Sequence, residues 1–194
     1  MGGRRGDLEG LLTELVRSTP PERLGRLKSL GDPDEILAGL AQEAERWVIG
    51  DLRRSLEATD CLLELADALG GASGRSRARR ARAQALAYAN RFDDALAVLN
   101  ESVELAASVP DETAAASARL AMVHPLARRG RYEEAVAAGQ MALEGFQRQG
   151  QAEWAAKAEV NLGVTHRMLN DAARALAHFD RARPVLASDP VNLA

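Results

Sequence analysis

The sequence predicts an all-α protein built of stacked helix pairs, and three observations carry that prediction. Apolar residues recur at steps of three and four, strand and hairpin signals are nearly absent, and one helix-sized pattern is spelled several times at a fixed spacing. NRFDDALAVLNESVELA from Asn90, GRYEEAVAAGQMALEGF from Gly130 and NDAARALAHFDRARPVL from Asn170 begin 40 residues apart. GDLRRSLEATDCLLELA from Gly50 is a worn fourth copy in the same register. Self-similarity at a period of a few tens of residues marks units that bury their apolar faces on one another.

Taken in order, Asp7 to Arg17 and Pro20 to Leu30 read as two short helices parted by STPP, where Ser18 or Thr19 caps and Pro20 or Pro21 occupies the first turn. Leu11, Leu12, Leu15 and Val16 form an apolar stripe that suits either a cap on the stack or an occupant of its groove, capping being the more ordinary role. Asp32-Pro33 opens the next helix in the same way. Residues 1–31 are therefore read as an N-terminal extension and 32–194 as repeats, with units at about 34–70, 75–110, 111–150 and 151–188. Gly70 to Gly74, GGASG, reads as a long flexible loop between repeats.

Within a unit, Leu120, Val123 and Leu126 recur on a first helix, and Tyr132, Ala135, Val136, Gly139, Ala142, Leu143 and Phe146 on a second. The turn between them is Arg129-Gly130-Arg131, and Asn90 and Asn170 take the glycine's place in the neighbouring copies, glycine and asparagine being the residues that best accept a positive φ. Small residues at Ala95, Ala135 and Ala175, at Ser102, Ala142 and Ala182, and at Ala83 and Gly163 predict close helix approach. Pro125, after His124, predicts a kink in the first helix of its unit. Asp189-Pro190 looks like the start of another helix, so the reading expects a segment cut from a longer protein, the other possibility being an apolar end face covered by another molecule.

Composition narrows the function classes. The chain has 194 residues, 46% of them hydrophobic and 27% charged, with a net charge of −3, so no global field favours nucleic acid. Arginine supplies nearly all the positive charge and alanine is abundant, which suggests a bacterial source of high GC content. The one cysteine, Cys61, lies on an apolar helical face and fits a reducing cytoplasm. No secretory leader or membrane-length apolar run is present, so a cytoplasmic location is expected. No nucleophile elbow, phosphate loop or dinucleotide fingerprint appears, and His124, His166 and His178 stand too far apart in sequence for a local metal site. Neither catalysis, a metal nor a cofactor is expected.

NLG at Asn161 to Gly163, the N-D-x-x-x-A of Asn170 to Ala175 and the G-R-Y-E-E-A of Gly130 to Ala135 resemble the tetratricopeptide repeat family, in a long-helix form of about 40 residues where about 34 is usual. The resemblance implies antiparallel helix pairs stacked into a right-handed α-solenoid, whose first helices line a concave groove that takes a peptide or partner helix. Arrays of this kind resemble those of bacterial regulatory proteins such as caspase-like CHAT proteins, whose effector would lie outside this chain. Superposing the units places Arg77, Arg80, Gln84 and Tyr88, then His124 and Arg128, then Lys157, Asn161, Val164 and Arg167 on the groove, a face short of acids. Several arginines on one concave wall suit an acidic protein segment, whereas the plain alternative for Arg75 to Arg82 is a solvated helix face. The leading expectation is a protein-interaction scaffold, and the alternative is self-association through the last repeat. Neither nucleic acid nor membrane is expected as a partner.

Overall fold

The computed structural model describes residues 2–109 and 112–187, with side chains from Asp7 onward. The expected cap at Asp189-Pro190 lies outside those residues. Ten helices and no strand are present among the described residues: α1 (Gly2–Arg17), α2 (Pro20–Lys28), α3 (Pro33–Gly50), α4 (Leu52–Leu69), α5 (Ala72–Tyr88), α6 (Phe92–Ala107), α7 (Glu112–Arg128), α8 (Tyr132–Arg148), α9 (Ala152–Met168) and α10 (Ala172–Ala187). Each helix packs on its sequence neighbour in the pairs α3 with α4, α5 with α6, α7 with α8 and α9 with α10. The chain forms two compact units that divide after Val109, and each is described by itself.

In the first unit α1 and α2 lie on α3 and α4, where Leu12, Leu15 and Leu27 join Leu37, Leu40, Trp47, Leu62 and Leu65 in one core. A leucine buried in this way stabilises by about 1.5–3 kcal/mol, which holds the two N-terminal helices against the first pair. Thr19 caps α2, and the Glu22 carboxylate accepts from its backbone N–H and its hydroxyl, both at 2.8 Å. Asp32 caps α3 by accepting from the Asp34 N–H at 2.9 Å, as the Asp-Pro pair predicts.

The GGASG stretch is shorter and tighter than its composition suggests. Only Gly70 and Gly71 lie between α4 and α5, and the remaining three residues are the first turn of α5. Asp34 reaches across from α3 and accepts from the Gly71 N–H at 2.7 Å. A carboxylate at a helix N-terminus is favoured by the helix dipole, so the joint is clamped where a mobile loop was expected.

Four of the turns follow one rule. Asn90, Gly130 and Asn170 adopt positive φ between the two helices of their pairs, and Gly150 does so between α8 and α9. After each of them the next N–H reaches back to a carbonyl near the helix end: Arg91 to Leu86 at 2.9 Å, Arg131 to Leu126 at 3.0 Å, Gln151 to Phe146 at 2.9 Å and Asp171 to His166 at 2.9 Å. This is the Schellman closure, which satisfies carbonyls that a helix end would otherwise leave open.

Small residues set the packing as the spacing predicts. Ala95, Ala135, Ala175, Ser102, Ala142 and Ala182 are all buried. At two positions 40 residues apart from pair to pair, residue volume exchanges between the two helices: Ala83 with Leu99, Val123 with Gly139, and Gly163 with Phe179. A Cβ on Gly163 would meet the Phe179 ring at 2.6 Å, and one on Gly139 would meet Leu162 at 2.7 Å. In the second unit Phe146 is fully buried and stacks on Trp154, ring centroids 5.8 Å apart. Pro125 is buried and lies within α7, which continues through it to Arg128.

Candidate functional site

The arginines of α5 do not form an open basic wall. Arg79 is 8% exposed, and its guanidinium bridges Asp67 of α4 at 2.9 Å and Glu101 of α6 at 2.8 Å. Arg75 also pairs with Asp67, and Arg82 pairs with Asp60 while donating to the Leu56 carbonyl at 3.0 Å. Arg80 is largely buried against Glu45 of α3 at 3.0 Å, a contact without hydrogen-bond geometry, and burial pushes the Glu45 carboxyl above its usual value against the pull of Arg80. The expectation of a face short of acids is therefore corrected in this unit. A guanidinium fork holds two carboxylates at fixed angles, so these residues clamp neighbouring helices to one another. Arg77 donates to Ser73 of its own helix at 3.4 Å, Gln84 is half-buried, and Tyr88 is exposed at the end of α5.

In the second unit α7 packs on α9, and the remaining groove residues sit on those two helices. His124 and Arg128 are exposed one turn apart, and partial desolvation of the ring together with the Arg128 charge lowers the His124 imidazole below its usual value. On α9 the Lys157 ammonium pairs with Glu153 at 2.6 Å and lies 4.5 Å from the Trp154 ring centre. Asn161 and Val164 are half-buried one turn apart, and Arg167 is exposed. Arg167 and the Asn161 side chain make no ion pair or hydrogen bond within the chain among the described residues. Positive charge and an amide left open to solvent on one helix face can accept a carboxylate and a peptide backbone.

Two features of the pairs were not read from the sequence. The ion pair of α5 and α6, buried Arg79 with exposed Glu101, recurs in α9 and α10 with the charges exchanged, as buried Glu159 with exposed Arg181 at 2.8 Å. These positions are 80 residues apart, and in α7 and α8 they hold Arg119 and Met141. Arg119 is half-buried with no ion pair among the described residues, and Met141 is 50% exposed. Comparing charge at the repeat spacing would have exposed this exchange. The second feature is that His166 and His178, too distant in sequence to suggest a site, stack with ring centroids 5.2 Å apart.

Cys61 is buried, and burial pushes its thiol up to about 11, which makes it a packing residue. No helix among the described residues is long and apolar enough to cross a membrane.

Comparison with known proteins agrees with this geometry. Residues 112–188 match the tetratricopeptide repeat family. No curated protein matches the chain. Among solved structures, BtubC (BKLC) from P. vanneervenii superposes with a TM-score of 0.66 at 20% identity, over 87% of this chain and 71% of that one. MamA from Desulfovibrio magneticus RS-1, residues 41 to the end, superposes with a TM-score of 0.57 at 20% identity, over 98% and 99%. A double mutant of MamA RS-1 gives 0.55 at 21% identity, over 97% of each chain. At these identities the likeness is one of fold.

Proposed function

From the tetratricopeptide repeat family, to which residues 112–188 belong and whose members are in general protein-interaction scaffolds, we infer that this chain holds an acidic partner segment on the first-helix face of its second unit. The observation that carries the reading is the contrast between units. Arg79, Arg80 and Arg82 of the first are spent on internal acids, whereas exposed Arg167 and the half-buried Asn161 side chain of α9 make no internal pair, on a helix that packs against the α7 that carries His124 and Arg128. A carboxylate against Arg167 and a backbone group against Asn161 would fix an extended segment, with Val164 as its apolar contact. Tetratricopeptide folds are typically non-enzymatic scaffolds, and this one acts by holding its partner, as an adaptor within bacterial cytoplasmic regulation. The test is selection of peptides from a random library on the full chain, followed by titration of the strongest binder. Acidic binders that lose at least tenfold in affinity with Arg167→Gln support the reading, and binders indifferent to that change refute it.

A second reading, self-association, is favoured by Leu176 at 60% exposure on α10 and by Met168 and Leu169, each 38% exposed, at the turn before it. Mass measured against concentration by sedimentation checks it. A dimer dispersed by Leu176→Glu supports it, and a monomer throughout refutes it.

A further inference from the structure

We propose that the joint between α9 and α10 is a proton-operated latch, in which uptake of a proton by His166 opens α10 from α9 while the rest of the unit stays folded. The geometry begins with Glu159, whose carboxylate is buried on α9 and accepts from Arg181 of α10 at 2.8 and 3.1 Å. Its Oε2 also lies 2.5 Å from His178 Nδ1, a separation that requires a proton between nitrogen and oxygen. His178 is thus the donor, and the Arg181 nitrogen 2.7 Å from the same Nδ1 cannot donate to it. Burial raises the Glu159 carboxyl, but Arg181 and His178 outweigh it and hold the group ionised.

His166 lies flat on His178, 5% exposed, and its Nδ1 has no hydrogen-bond partner. Its nearest acid, Asp171, is 3.9 Å away and already engaged: it caps α10 through the Arg174 N–H at 3.1 Å and pairs with the Arg174 guanidinium at 3.4 Å. In the closed joint a charged His166 would face only Asp171 Oδ2, at 3.9 Å and shared with the Arg174 guanidinium, while Oδ1 keeps the cap, so a buried imidazolium is poorly compensated there and gains by opening to water. The other charges acting on it come from α10, where His178 and Arg174 both oppose protonation. The helices α7 and α8, which also pack on α9, contribute no charge that acts on it among the described residues.

Burial, His178 and Arg174 hold the imidazole below its usual 6.5 although Asp171 pulls the other way. Well above its usual 6.5 the ring is neutral whether the joint is closed or open, so closure there does not depend on pH. Below it the opened ring takes up a proton that the closed one refuses, so closure weakens as pH falls, by up to about tenfold per pH unit for one proton, until the closed ring also titrates.

Hydrogen–deuterium exchange of the full chain, corrected for the intrinsic pH dependence of exchange, between about pH 7.5 and about pH 5.2, reads this opening above the usual carboxylate range. The expected result is a rise in opening across α10 of up to about tenfold per pH unit below about 6.5, absent in His166→Phe, which keeps the stack and removes the proton site. His166→Gln provides the same comparison if the phenylalanine variant does not fold. A pH-independent α10 in the native chain, or an equal rise in the non-titrating variant, overturns the proposal.

Discussion

The contact between Gly163 and Phe179 permits a prediction worked from the structure. A Cβ on Gly163 would stand 2.6, 2.8 and 2.9 Å from three atoms of the Phe179 ring, and an aromatic edge cannot bend away as a flexible side-chain end can. Overpacking of this kind costs about 1–3 kcal/mol. Glycine to alanine inside a helix returns about 1 kcal/mol of propensity. Gly163→Ala alone should therefore destabilise by roughly 1 kcal/mol, a fall in melting temperature of about 2–4 °C for a chain of this size. Phe179→Leu alone should cost roughly 1 kcal/mol through the gap left beside the glycine.

The pair together gives this contact the alanine and leucine found at the equivalent positions 83 and 99, both of which are buried in the first unit. The double variant should then recover to within roughly 0.5 kcal/mol of the native protein, a departure from additivity well outside the scatter of independent sites. Thermal and guanidinium unfolding followed by circular dichroism would measure all four corners of the cycle. Additive losses within about 0.5 kcal/mol would refute the claim that the units keep one packing volume by exchanging it across the helix pair.

Met141→Glu should place a counter-ion opposite Arg119, where Glu101 stands opposite Arg79 two helices earlier, and raise stability by about 0.5 kcal/mol, a gain that vanishes in the Arg119→Ala background. Asp34→Ala should speed amide exchange at Gly71 and the start of α5 by at least about tenfold, because the N–H loses its acceptor. Cys61, its thiol raised to about 11, should resist a maleimide at pH 8 in the folded protein and react fully once unfolded. Rapid labelling of the native chain would show the thiol to be less protected than its burial implies.

Helix pairs, turns and small-residue contacts were legible because each depends on residues close in sequence or repeated at a fixed step. Asn90, Gly130 and Asn170 announce positive φ through residue type alone, and Asp32-Pro33 announces a helix start in the same way. Gly150 was equally available but lies between pairs, outside the segment that the repeats spell. GGASG misled because composition reports freedom and not the clamp at Asp34, which arrives from 37 residues away. The basic stretch of α5 misled for the same reason: Arg79 and Arg80 point to different faces of the helix, and only tertiary placement brings Asp67 and Glu101 to the one and Glu45 to the other. His166 and His178 meet because one helix turns back on the other, a relation that separation in sequence conceals.

The central claim is a division of labour, with the arginines of α5 clamping helices and Arg167 of α9 meeting a partner. It is tested most directly by measuring unfolding midpoint and affinity for a library-selected acidic peptide in Arg80→Gln and Arg167→Gln. The account predicts that Arg80→Gln lowers the midpoint and leaves peptide affinity unchanged, while Arg167→Gln keeps the midpoint and loses at least tenfold in affinity. Peptide affinity lost in Arg80→Gln at an unchanged midpoint would contradict it.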